Sequence, residues 1–180
     1  FPNVRYIKLP ENIGGAGGFH EGMKLAFDEG AEWIWVMDDD AAANPDALEK
    51  LLMSAPTHDN AFILSSAVVS PSGTICTYHR RYFVKGNIRE YSAPLKLYHN
   101  NSFDVDTTSF VGTIINRRAI ELIGLPLKEL FIYYDDTEYS LRISQQGDRF
   151  VVIPRSSVSH NSEPENFINN RKSALTWRDY

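Results

Sequence analysis

Cysteine is scarce in this sequence, which holds only Cys76 among 180 residues. A single cysteine excludes an internal disulfide and a cysteine-rich zinc site, and it fits a reducing compartment. Long apolar runs are missing too, since no stretch approaches the roughly 20 residues of a membrane-spanning helix. Lys and Arg number 18 against 23 Asp and Glu, for a formal net charge of −5. We therefore expect no nucleic-acid partner, because phosphate backbones are bound by clustered Lys and Arg.

The rest of the composition is that of an ordinary globular domain, with 43% hydrophobic and 12% aromatic residues. A chain of this length fits one domain with a substantial core. The sequence opens at Phe1 without a methionine and closes at Tyr180 after an aromatic and basic stretch without a stop signal. We expect residues 1–180 to be a single domain that is incomplete at its N-terminus and at its C-terminus.

Residues 33–40 form the most informative stretch, because five large apolar residues end abruptly in Asp38, Asp39 and Asp40. The apolar run predicts a strand buried on both faces, as in the middle of a parallel sheet. Ligands of open α/β sheets bind beyond the carboxyl ends of the strands, so the aspartates mark a candidate site. A divalent cation relieves their mutual repulsion most simply, and we prefer that interpretation to a solvated acidic turn.

Strand and helix signals alternate along the chain and predict an α/β fold with parallel strands and right-handed crossovers. One further segment, residues 85–101, has no clear period and is interpreted as an excursion able to cover a site. The other predicted strands are 4–9, 61–69, 74–84, 104–116 and 150–153, the last stopped by Pro154. The first predicted helix runs from residue 19 to Gly30, and the second begins at an Asn44 N-cap and buries Leu48, Leu51 and Leu52. The third covers residues 117–123, and the fourth begins at the second acidic cluster and runs to residue 146.

A glycine-dense loop at residues 11–18 leads into the first predicted helix. Glycines at a helix N-terminus let backbone N–H groups approach a phosphate or diphosphate closely. The loop is not a P-loop, because no Gly-Lys-Ser/Thr follows, and the third glycine of a dinucleotide fingerprint would fall on His20. A tight strand-to-helix turn without any ligand explains the glycines equally well.

A second cluster of acids, Asp135, Asp136 and Glu138, follows the aromatic run at residues 130–134 and begins a helix. The helix dipole favours carboxylates in a first turn, so capping explains one of them. Three acids exceed what a cap needs, which makes this cluster a second candidate site. His160 is the most suggestive of the five histidines, although a surface-loop histidine is the simplest explanation of its position.

Four motifs in this order resemble inverting family-2 glycosyltransferases of the GT-A fold, in particular bacterial galactofuranosyltransferases and rhamnosyltransferases. The motifs are residues 12–19, residues 35–40 followed by Pro45, residues 131–142 and His160. The resemblance implies an α/β fold with a mixed, mostly parallel sheet flanked by helices. It also implies transfer of a sugar, with galactofuranose preferred, from a nucleoside-diphosphate donor to a glycan or lipid-linked acceptor in cell-surface polysaccharide synthesis.

The same resemblance implies roles for individual residues. Asp38 and Asp40 match the family's aspartate–x–aspartate signature and would bind Mn²⁺ or Mg²⁺ together with His160, whose imidazole favours Mn²⁺. Asp136 resembles the general base, with Asp135 as the second candidate. Donor contacts would come from Asn12, Gly14, Gly15, Gly17 and Asp39, and acceptor contacts from Phe110 and Glu138.

The donor implied is UDP-galactofuranose or dTDP-rhamnose, and the implied location is the cytoplasm, with peripheral contact at the inner face of the membrane. The family's base-binding strands have no counterpart before Phe1, so we expect this chain alone to bind nucleotide weakly. Three alternatives stay open: a dTDP-rhamnose enzyme of the same fold, a magnesium phosphohydrolase and a non-catalytic carbohydrate-binding fragment. The phosphohydrolase is disfavoured because Ala41 and Ala42 stand where a Thr or Val is usual.

Overall fold

The computed structural model describes residues 4–58, 61–87, 89–147 and 149–161. Its helices are α1 (Gly14–Asp28), α2 (Ala47–Ser54), α3 (Arg117–Ile123) and α4 (Asp135–Gln145). Its strands are β1 (Trp33–Val36), β2 (Ala41–Ala43), β3 (Ile63–Val69), β4 (Arg80–Phe83), β5 (Glu90–Ser92), β6 (Phe103–Val105), β7 (Thr107–Thr108), β8 (Thr113–Asn116) and β9 (Phe150–His160). Short 3-10 turns lie at Ala55–His58, Thr77–His79, Leu95–His99 and Lys128–Leu130. None of the helices in these ranges has the length and apolar character that a membrane crossing requires.

The main sheet is mixed, with the strand order β1-β8-β3-β9-β2 and with β6 paired to β9. Strands β1, β3 and β9 share one direction, but β8 is inserted between β1 and β3 in the opposite direction. Among the pairings described for this sheet, β3–β9 is the parallel one, and the others are antiparallel. The mixed α/β architecture is confirmed, whereas the expected parallel majority is wrong because the inserted strands reverse direction.

Strand β1 lies at one end of this sheet rather than in its middle, which corrects the expectation from its apolar run. Its side chains alternate between two layers. Ile34 and Val36 join the core that packs against α1, and Trp33 and Trp35 pack on the opposite face near Leu51 of α2. The run is apolar throughout because helices cover both faces of the sheet, so a continuous apolar pattern did not require a central position.

Two helices differ in detail from their sequence patterns. Helix α1 begins at Gly14, so the glycines form its first turns rather than a loop in front of it. Asn44 does not cap α2, because its side-chain amide donates to Ser157 Oγ. In α2 only Leu51 of the three predicted leucines is fully buried, while Leu48 and Leu52 stay 37% and 41% exposed.

The last strand, β9, continues past Pro154 to His160, contrary to the expected stop at the proline. Its register with β3 shifts between Ser66 and Ala67, which pair with Ile153 and Ser157. Residues 154–156 therefore bulge out of the ladder, where proline is tolerated because no N–H is needed. This bulge allows the strand to carry His160 to the end of the sheet where β1 terminates.

Three other predicted strands also changed. Residues 4–9 are not a strand. Residues 74–84 begin with a bridge from Ile75 to Val69 and continue into β4, which forms a second sheet of order β5-β4-β7. Residues 104–116 are divided among β6, β7 and β8, and β5 lies in the excursion at 85–101. Strand β3 and helices α3 and α4 follow the predicted positions closely.

Candidate active site

Asp38, Asp40 and His160 converge where β1 ends. The chain turns directly after the strand, with the Ala41 N–H donating to the Asp38 carbonyl, and β2 then pairs antiparallel with β9 so that Ala41 lies opposite His160. His160 Nε2 lies 3.4 Å from Asp38 Oδ2 and 3.1 Å from Asp40 Oδ1. One donor atom from each of the three side chains lies within 4.8 Å of the others, a spacing that one metal ion can bridge.

The donor set of this triad fits a divalent cation such as Mn²⁺, which accepts both carboxylate and imidazole ligands. The Asp38 and Asp40 side chains stay 39% and 46% exposed, which leaves room for oxygens of a bound ligand. A hydrogen bond with Asp38 raises the pKa of His160, and Asp40 adds to this effect against the influence of burial. The neighbouring Asp39 is exposed and does not belong to this group.

His79 lies behind the triad, and the sequence analysis missed it. Its ring meets the His160 ring edge-on with 5.2 Å between centroids, and its Nδ1 lies 2.7 Å from Ser109 Oγ. Burial lowers the pKa of His79 well below its usual value, and Arg80 adds to the effect. The environment of His79 therefore favours its neutral form beside His160.

The second acidic cluster lies in the first turn of α4. Asp135 is buried in the first turn of α4, and burial raises its pKa to about 6, helped by the charge of Asp136 and, more weakly, of Asp38. His79, which contacts the His160 ring, lies two residues before Arg81, which contacts Asp136, so the two acidic clusters lie near each other beside β4. A triad that could hold a metal ion and a carboxyl group with a raised pKa therefore lie in the same region.

Asp136 is held by hydrogen bonds on both of its oxygens. Its Oδ1 accepts from the Thr137 N–H at 2.6 Å, and its Oδ2 lies 3.3 Å from Nη2 of Arg81 on β4. Its side chain stays partly accessible, at 19% exposure. Arg81 was another residue missed from the sequence, because nothing in its local pattern indicates that β4 would meet the start of α4.

The two acceptor-binding candidates make contacts within the protein, and acceptor contact by Glu138 stays a prediction. Phe110 is 4% exposed, and its ring packs edge-on against Phe19 and Tyr139, so no ligand can reach its face. The expectation that Phe110 contacts the acceptor is therefore corrected: it is a core residue. Glu138 forms a bidentate pair with Arg142 at 2.6 and 2.9 Å, which engages both of its carboxylate oxygens.

The glycines at the start of α1 have a packing reason of their own. The Ala16 N–H donates to the Phe131 carbonyl, and the Gly14 N–H donates to Asn12 Oδ1, so these two N–H groups are already bonded within the protein. A Cβ at Gly17 would lie 2.5 Å from the Ile13 side chain. Close packing therefore gives a reason for glycine at positions 14 and 17, while donor contact by Asn12, Gly14, Gly15 and Gly17 stays a prediction.

An exposed aromatic loop separates this glycine segment from the acids of α4. Phe131, Tyr133 and Tyr134 all have positive φ angles, of 59°, 68° and 65°, and their rings face solvent. Left-handed backbone costs a non-glycine residue about 1–2 kcal/mol and collects at functional sites. The sequence shows these aromatics only as a run before the acids, because residue composition does not indicate backbone strain.

Replacing Gly14 by alanine is expected to destabilise the protein by at least about 2 kcal/mol, since it combines left-handed strain with a steric clash. Gly14 has φ +72°, and a Cβ there would lie 2.0 Å from the Phe131 carbonyl oxygen. Gly18→Ala is the matched control, because that Cβ has nothing within 4 Å. Thermal unfolding of both variants should show a loss for Gly14→Ala and none for Gly18→Ala; equal stability would contradict the close contact.

Solved structures with the same architecture define the class of fold. The chain superimposes on GalNAc-T7 with UDP, GalNAc and Mn²⁺ at a TM-score of 0.62 and 12% identity, covering 87% of this chain and 32% of that one. It matches Staphylococcus aureus TarS in complex with UDP at a TM-score of 0.52 and 14% identity, covering 84% and 42%. The fold is therefore the GT-A fold that the sequence motifs predicted.

Residues 1–122 match the family described as Glycosyl transferase family 2, and the chain belongs to that family. It is 30% identical over 166 residues to galactofuranosyltransferase GlfT1 of Mycolicibacterium smegmatis, covering 86% of this chain and 52% of that protein. It is 26% identical to the dTDP-rhamnosyl transferase RfbF of Shigella flexneri, covering 87% and 52%. The chain thus spans about half the length of these two relatives. The family membership rules out the phosphohydrolase alternative.

Proposed function

We propose that this chain is the catalytic part of a metal-dependent, inverting glycosyltransferase that moves a sugar from a nucleoside-diphosphate donor to a glycan or lipid-linked acceptor. One observation carries the proposal: the Asp38, Asp40 and His160 triad lies near the acids at the start of α4, since His79 contacts His160 and Arg81, two residues later, contacts Asp136. A displacement at a sugar carbon needs an electrophilic group at the leaving diphosphate and a proton acceptor on the opposite side. The two clusters supply one function each.

The mechanism assigns a separate task to each cluster. A cation bound by Asp38, Asp40 and His160 would neutralise the charge that develops on the departing diphosphate. On the other side, Asp136 takes the proton of the acceptor hydroxyl. The oxygen of the acceptor hydroxyl forms a bond to C1 while the bond from C1 to the diphosphate oxygen breaks. Asp135 is the second candidate for this base. Attack from the face opposite the leaving group inverts the configuration at C1.

The donor we favour is UDP-galactofuranose, with dTDP-rhamnose as the second candidate. Similarity to proteins named galactofuranosyltransferase and dTDP-rhamnosyl transferase supports these two sugars. We place the reaction in the cytoplasm, with contact at the inner face of the membrane where a lipid-linked acceptor is presented, in cell-surface polysaccharide synthesis. Because Phe110 is buried, the exposed rings of Tyr133 and Tyr134 are better candidates for contact with an acceptor sugar.

A thermal-shift experiment on the full-length protein tests donor and metal together, because we expect this chain alone to bind nucleotide weakly. We expect UDP to raise the melting temperature in the presence of Mn²⁺ and to have little effect after chelation, because the diphosphate binds through the cation. Ligand at about 100 times its Kd stabilises a protein by roughly 2.7 kcal/mol, which such a scan resolves. ADP is the control nucleotide and dTDP the test of the second donor. Indifference to every nucleotide would favour the non-catalytic alternative.

A further inference from the structure

Arg81 is a buried arginine placed between two carboxylates of different elements. Its Nε lies 3.4 Å from Glu90 Oε1, and its Nη2 lies 3.3 Å from Asp136 Oδ2. Glu90 sits diagonally across the β4–β5 pair, where the register places Arg81 opposite Ser92. One guanidinium therefore joins the small second sheet to the acid at the start of α4.

The Thr137 hydroxyl completes this cluster. Its Oγ1 lies 3.2 Å from Arg81 Nη2, 3.2 Å from Glu90 Oε1 and 3.2 Å from Asp136 Oδ1. The hydroxyl accepts from the guanidinium and donates its single proton to one of the two carboxylates. The four side chains thus make a closed set of polar contacts around Asp136.

Burial makes this cluster sensitive to the loss of Arg81. The Arg81 and Glu90 side chains are 9% and 6% exposed. Removing the guanidinium would leave two carboxylates close together with little water to screen them, which is the costly way to break a buried ion pair. The same burial keeps Arg81 from acting as a ligand for the donor diphosphate, because its charge is already directed at Glu90 and Asp136.

We propose that Arg81, together with Glu90 and Thr137, is the positioning group for the acid–base centre. This inference rests on the proposed role of Asp136. Arg81 holds Oδ2 and the Thr137 N–H holds Oδ1, so the carboxylate keeps one orientation, while its remaining lone pairs are available for the acceptor proton. A base that is already oriented needs no reorganisation during the reaction, and misplacement of about 1 Å can cost 10²-fold in rate.

The test uses Arg81→Met, Arg81→Lys and Thr137→Val in the full-length protein, with kcat, acceptor KM and Mn²⁺-dependent UDP affinity measured for each. We expect Arg81→Met to lower kcat by roughly 10–100-fold with less than about threefold change in KM and UDP affinity. Arg81→Lys keeps the charge but loses the fork, so it should recover part of that loss. Thr137→Val should lower kcat by a few fold.

Arg117→Met is the matched control. Arg117 also links two elements, because it donates to the Phe27 carbonyl. It lies away from the candidate site, since the preceding residue, Asn116, pairs with the start of β1 and the candidate site lies at the end of that strand. This variant should lose stability and keep kcat. An unchanged kcat in folded Arg81→Met, or an equal loss of kcat and UDP affinity, would overturn the inference.

Two further outcomes are separable. If Arg81→Met does not fold, Arg81→Lys and Thr137→Val decide the matter, and wild-type kcat in both would overturn the positioning role. If Asp136→Asn keeps full activity, the proposed base itself is wrong, whatever the Arg81 variants show.

Discussion

Asp136→Asn is expected to reduce sugar transfer by roughly 10²–10⁴-fold, the usual contribution of a positioned general base. The amide has nearly the same shape as the carboxylate, and its one oxygen can keep either the contact to the Thr137 N–H or the contact to Arg81, so thermal unfolding of the variant is measured beside the assay. It has no basic oxygen to take the acceptor proton. Because Asp136 does not belong to the metal triad, Mn²⁺-dependent UDP binding should persist.

The measurement compares Asp136→Asn with Asp135→Asn by mass-spectrometric detection of product, alongside UDP affinity. The pH profile separates the two candidates, since the pKa of Asp135 is raised to about 6 by burial. If Asp135 were the base, activity would disappear as the pH falls through about 6, and Asp135→Asn would have the larger effect. Loss of both transfer and UDP binding in Asp136→Asn would show that the proposed division between proton transfer and metal binding is wrong.

The second large effect is expected from removing a carboxylate of the proposed metal-binding triad. We expect Asp38→Asn and Asp40→Asn each to weaken Mn²⁺ affinity by more than about 10–100-fold, the range reported even for residues that only support a ligand. Each change halves the charge that the carboxylate pair offers to the cation, and the diphosphate then loses its main partner. Transfer and metal-dependent UDP binding should therefore fall together, unlike in Asp136→Asn.

Calorimetric titration with Mn²⁺ measures the metal affinity, and the activity assay measures transfer. Asp46→Asn is the control, because Asp46 is an acid paired with Lys50 at the start of α2, outside the triad. Chelation should abolish transfer by the wild-type protein, and Mn²⁺ should restore it better than Mg²⁺ because of the imidazole ligand. Full transfer in the presence of chelator would refute the metal role of the triad.

The candidate site was recognisable from the sequence to the extent that its residues lie at the ends of local patterns. Asp38 and Asp40 follow an apolar run, and Asp135 and Asp136 begin a predicted helix. Each cluster therefore indicates a candidate site before any contact is known. The roles of Arg81 and His79 were not recognisable. Their partners lie 55 residues away for Arg81 and on β9 for His79, and only the folded chain brings them together.

Phe110 illustrates the opposite error. An aromatic residue in the region where related enzymes bind acceptors was assigned to the ligand, yet its ring is enclosed by Phe19 and Tyr139. The exposure of a side chain depends on how the helices pack over the sheet, and the presence of a single aromatic residue does not predict it. Tyr133 and Tyr134, directly before the acids of α4, have exposed rings and positive φ angles instead.

The sequence by itself determined the family, the α/β class and the identity of the acids, because these follow from local periodicity and from motifs a few residues long. Only the tertiary structure decided the direction of the strands, the edge position of β1 and the convergence of His160 on Asp38 and Asp40. These features depend on contacts between distant segments, such as the β9 bulge that passes Pro154 and the antiparallel pairing of Ala41 with His160. The apolar run that ends in acids indicates where the candidate site lies, and pairing between distant strands brings its residues together.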